Sequence, residues 1–169
     1  MSDDHRRYLI VEQGVGAALF NFLLNGVIAW ALFRHLDVVP LWGDQSIAGD
    51  TIATGILLPL LTCLIVTGLV RRHVLAGNLP PLPAAHPAVA WMPQRAFVRG
   101  LVLALLASLT LVPTTLALLA TLGVEGFGFW PFVLFKAAWA AGAALIVTPL
   151  VALRAIGDAR IAGTTAGAR

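Results

Sequence analysis

Apolar residues fall into four long runs, at 8–33, 51–70, 100–122 and 132–153, separated by shorter segments rich in charge, proline or glycine. Each run has the roughly 20 residues that a helix needs to cross a bilayer core about 30 Å thick. The pattern predicts an all-α integral membrane protein: one membrane domain over 1–169, a four-transmembrane-helix bundle with links at 34–50, 71–99 and 123–131 and a tail at 154–169. Polar groups interrupt these runs at few places, and those places carry most of the functional information.

Composition supports a lipid environment. The chain is 59% hydrophobic and 11% charged, with mean hydropathy +0.90. A water-soluble domain carries about 25% charged residues, so too few remain here to cover a surface facing water. The net charge of +3 therefore does not point to nucleic acid, and the bilayer is the expected partner. Arginine sets the orientation. Arg6 and Arg7 precede the first run, Arg71, Arg72, Arg95 and Arg99 flank the middle link, and Arg154, Arg160 and Arg169 follow the last run; the other two links hold only Arg34 beside Asp37, Asp44, Asp50 and Glu125. Cationic loops stay in the cytoplasm, so both termini and the middle link are expected inside. One lysine against ten arginines, in an alanine-rich chain, suggests a bacterial cytoplasmic (inner) membrane. The first run is too long for a signal-peptide core and starts after the mixed "SDDHRR", so cleavage is not expected even though Ala29-Trp30-Ala31 mimics a processing site.

The two outer links carry Trp42, Phe127, Phe129, Trp130 and Phe132, which read as an aromatic belt. The middle link contains "AGNLPPLPAAHPAVAWMPQ", which reads as a polyproline-like connector along the membrane surface, with Trp91 and Pro93 as candidate partner contacts. Residues 64–70, "LIVTGLV", and 145–151, "LIVTPLV", match at six of seven letters. Both end a run on the same side, as two parallel-repeat helical hairpins would, an arrangement used by some transporters.

Five polar residues are candidate substrate- or ion-binding groups: Glu12, Asn21, Asn25, Asp50 and Lys136. At 100° per residue Gly14, Ala18, Asn21 and Asn25 share a narrow face. That stripe suits either an interhelical hydrogen-bonded seam or a site within the membrane. Glu12 falls half a turn away on a straight helix and has two readings, a solvated or ion-paired carboxylate at the interface and a proton-coupled one. Asp50 stands where an N-cap is wanted. Lys136 can snorkel, pair with Asp50 or bind an anion. Ala138 and Gly142 join Gly14 and Ala18 as helix-packing positions of the small-xxx-small type. Cys63 is alone, an apolar filler. The sequence contains no metal-ligand spacing, phosphate loop or nucleophile elbow, so an enzyme is not expected and no cofactor is indicated. Two functions fit: a small permease-like transporter, proton- or ion-coupled, or a non-catalytic accessory subunit of a larger membrane complex. Either implies self-association or other membrane subunits as partners.

Overall fold

The structure, a computed structural model, describes residues 3–80, 82 and 86–166, with side-chain surroundings for 5–80, 82 and 86–159. Pro81 and Pro83 of the middle link and the last three residues lie outside the described residues. Four helices are long and apolar enough to cross a membrane: α1, His5–Phe33; α2, Ile47–Leu75; α3, Ala96–Thr121; and α4, Phe129–Ala159, which runs on to Ala166. All four extend beyond the apolar runs, because a helix continues past the hydrocarbon wherever its backbone bonds can still close. Residues 154–166 continue α4 as helix.

Each helix has a local reason for its form. The Tyr8–Gly16 stretch of α1 is π-helical, a wider winding that is rare and concentrates at functional sites. Ser46 caps α2, its hydroxyl accepting from the Gly49 amide at 3.1 Å; Asp50 sits one turn further in and is not the cap. The break in α3 falls at Thr110 (φ −122°, ψ −68°), three residues before Pro113. A proline ring collides with the carbonyl four residues earlier, here Leu109, so the ladder ruptures just after it.

Helices joined by the two outer links do not pack along each other. α1 lies along α4, α2 lies along α3, and α2 and α4 pack on each other, while α1 barely touches α2. Small residues make these seams. A methyl group on Gly26 would stand 3.6 Å from Ala137, and one on Gly14 would meet Leu145 and Pro149 at 3.6 and 3.8 Å. A methyl on Gly55 would overlap Val112 at 2.5 Å, and one on Gly100 would reach the Leu60 backbone at 3.0 Å. α3 reaches α4 through side chains, with Trp139 Nε1 donating to Thr115 Oγ1 at 2.9 Å.

At one end the two outer links pair as a short antiparallel sheet, β1 (Val38–Pro40) with β2 (Gly126–Gly128), Val39 opposite Phe127. A core of Phe33, Val39, Leu41, Ile47 and Phe132 lies beneath it. Phe132 is fully buried and stacks edge-on against Phe33 at 4.7 Å, so it belongs to this core, whereas Trp42 and Trp130 are exposed as belt residues would be. At the opposite end, where α1 begins and α4 ends, the described part of the middle link has a short 3₁₀ turn at Pro87–Val89 and is anchored on the bundle. Leu79, Leu82, Val89 and Met92 are buried, and Leu79 and Leu82 pack on Val70, Val151 and Ile156. The flanks of the bundle expose many Leu, Ile, Val and Phe side chains, a surface that water does not tolerate and lipid does.

Candidate functional site

Because α1 and α2 both rest on α4 without closing on each other, a groove of about 570 Å³ runs between them, with α4 as its floor. Glu12, Asn21, Asn25, Asp50 and Lys136 all line it. They come from three helices and three depths.

Lys136 and Asp50 stand at the sheet end. The ammonium donates to Asp50 Oδ1, and the side chains are 5% and 9% exposed. Of the three readings of Lys136, the structure has the ion pair. Two desolvated charges at this position hold each other neutral, and removing either would strand the other. One turn further along α2, Thr54 is buried against the same groove.

Asn21 and Asn25 line the middle. Their amide nitrogens donate back along α1, to Ala17 O at 2.9 Å and to Asn21 O at 3.0 Å. No interhelical seam forms through these bonds. Each bond uses one N–H of the amide and stays within α1.

Glu12 and Gln13 line the end nearest the termini. On a straight α-helix Glu12 would be half a turn from Asn21. Through the π-helical stretch each residue turns less than 100°, so the faces drift into phase and both reach the same groove. Gln13 Nε2 donates to the Tyr8 hydroxyl at 3.1 Å. Across from them on α4 lies Thr148, 1% exposed, whose hydroxyl has no hydrogen-bond partner among the described residues. A threonine in a helix ordinarily bonds back to its own turn. Thr148 escaped sequence reading because it sits in an otherwise apolar repeat; its position on the α4 face that meets Gly14 and Gly26 was the available signal.

The packing positions divide. Gly14 is buried against α4 and Ala18 is half-buried, but Ala138 and Gly142 are exposed, with open space where a methyl on Gly142 would stand. The alanines that build seams inside the chain are Ala137, Ala140 and Ala144. Among the described residues no group of three or more His, Cys, Asp or Glu side chains is placed to hold a metal ion.

A second polar cluster, at the termini end, was not legible from sequence. Arg99 is fully buried, its guanidinium donating to Asp158 Oδ2 at 3.0 Å, Thr67 Oγ1 at 2.6 Å and Pro93 O at 3.2 Å. Arg154 Nε donates to Met92 O at 3.0 Å, and its Nη1 stands 2.7 Å from Asp158 Oδ1. The cluster ties the middle link to α2, α3 and α4. Read along the chain these arginines look like topology signals; the i,i+4 spacing of Arg154 and Asp158 was the local hint.

No family model, curated protein or solved structure matches the chain.

Proposed function

We propose that the protein is a small permease-like transporter of a bacterial inner membrane, with both termini in the cytoplasm, and that the groove between α1 and α2 is its path. The observation that carries this reading is convergence. Five residues singled out only because charge and amide groups are costly in lipid line one groove instead of scattering over the bundle. In this reading Asn21 and Asn25 bind cargo at mid-depth, Glu12 receives it, or a coupling proton or ion, at the cytoplasmic mouth, and the Asp50–Lys136 pair closes the outer mouth. The orientation draws support from Arg71, Arg72, Arg95, Arg99 and Arg154, which lie at the termini end. The crossed packing supports a parallel duplication: exchanging the first hairpin for the second maps the α1–α4 seam onto the α3–α2 seam and β1 onto β2. Val70 and Val151, matched positions of the repeated heptapeptides, are both fully buried.

One observation favours an accessory-subunit reading. The Ala138–Gly142 face of α4 is exposed and small enough for close helix approach, as a homo-oligomer or a larger complex would use.

Water access separates the readings. Single cysteines are placed at Asn21, Asn25 and Val27 in a Cys63→Ala chain and treated in sealed vesicles with a small polar maleimide. Asn21→Cys and Asn25→Cys are expected to react, while Val27→Cys, 62% exposed but outside the groove, is expected not to. No reaction at both asparagine positions would contradict a transport path.

A further inference from the structure

The cytoplasm-facing mouth in the proposed orientation has a specific chemistry. Gly14 rests on Leu145 and Pro149, which brings residues 12 and 13 level with Thr148. Tyr8 packs edge-on against His73 at 5.9 Å, which brings the same turn of α1 level with the last turns of α2. Glu12, Gln13 and Thr148 thus form one polar mouth. Its acceptors are the Glu12 carboxylate, the Gln13 amide oxygen and the buried Thr148 hydroxyl, which has no hydrogen-bond partner among the described residues. An unsatisfied buried hydroxyl is costly, and a bound polar group would recover that cost.

Charge narrows the ligand. The charged residues lining the groove are Glu12, Asp50 and Lys136. Lys136 is already neutralised by Asp50, and among the described residues Glu12 makes no ion pair. The groove is therefore negative by one charge, and that charge sits at the mouth. Beyond the mouth the walls become hydrocarbon: Leu57, Leu61 and Ile65 of α2 face Phe20 and Leu24 of α1. These wall residues are exposed, which gives a ligand access from the bilayer as well as from the end.

We propose that the groove takes an amphiphilic amine, its ammonium head held by Glu12, Gln13 and Thr148 and its hydrocarbon tail laid along the Leu57–Leu61–Ile65 wall. This deepens the transporter reading and rests on it for direction of movement, but not for binding. N–H donors satisfy all three acceptors at once, and the single uncompensated carboxylate favours a cation over an acid of the same tail length. A water-soluble solute without a tail would leave the apolar wall unused.

The test is binding of radiolabelled dodecylamine, dodecanoate and ethylamine to the full-length chain in nanodiscs, with empty nanodiscs subtracted. Saturable binding of dodecylamine is expected, with dodecanoate and ethylamine at least 10-fold weaker. Glu12→Gln, at an exposed position where folding does not depend on the charge, should weaken dodecylamine at least 10-fold, and Thr148→Val a few-fold. Filling the tail wall with Leu61→Trp should abolish binding while the protein still elutes as a folded species. Equal binding of dodecanoate, or binding unchanged in both Glu12→Gln and Leu61→Trp, would overturn the proposal. Efflux of dodecylamine from proteoliposomes is read separately. Binding without efflux would overturn the transporter reading and leave the amine site standing, whereas efflux unaffected by Glu12→Gln would overturn the site alone.

Discussion

Single residues in this protein matter where charge is buried. Asp50 and Lys136 are each nearly sealed from solvent, so a variant that removes one leaves the other charged in an apolar setting. Asp50→Leu or Lys136→Met alone is expected to cost about 3–5 kcal/mol, and the double variant to recover most of that loss, because a buried pair is replaced by apolar groups at little net cost. Thermal unfolding of the three variants in one detergent checks this; a double variant as unstable as either single one would show that the pair is not an isolated unit. Asp158 makes a parallel case. It stands between Arg99 and Arg154, and both arginines also hold carbonyls of the middle link. Asp158→Asn should loosen that link, read as faster limited proteolysis between residues 79 and 92 with the helices still intact. Unchanged proteolysis would mean that the two carbonyl bonds and the buried Leu79, Leu82 and Met92 suffice without the carboxylate.

The elements show where sequence is informative. Four spans were legible because hydropathy is a property of each segment alone, and 18 or more apolar residues admit few other readings. Features set by partners distant in the chain were not. The β1–β2 ladder joins two tripeptides, "VVP" and "GFG", too short to carry any period. The fit of Gly100 against Leu60 depends on which helices meet, and Gly100→Val should push α2 and α3 apart at a cost of about 1–3 kcal/mol by overpacking, measurable as a lower midpoint in thermal unfolding; an unchanged midpoint would place the α2–α3 contact elsewhere. The candidate residues stand out in the sequence as polar outliers, but their geometry was not readable. The half-turn offset of Glu12 assumed 3.6 residues per turn through a stretch that is wound more widely. Asp50 looked like a cap because Ser46, the actual cap, lies before the apolar run begins, where periodicity offers no anchor.

At the scale of the whole molecule everything depends on one arrangement: hairpin partners stand apart and cross-hairpin partners pack. The groove exists because α1 lies on α4 and not on α2. The same crossing puts Glu12, Asn21, Asn25, Asp50, Lys136 and Thr148 around one space, and the site readings above fail together if α1 closes on α2. Paired-cysteine crosslinking in the membrane, in a Cys63→Ala background, tests this most directly. Gly26→Cys with Ala137→Cys places two β-carbons about 3.6 Å apart, within the range of a disulfide, and should crosslink rapidly and nearly completely. Leu24→Cys with Leu57→Cys, on opposite walls of the groove, should not form a disulfide. Rapid crosslinking of Leu24→Cys to Leu57→Cys, with the Gly26–Ala137 pair unreactive, would mean that α1 packs on its own hairpin partner and that the groove does not exist.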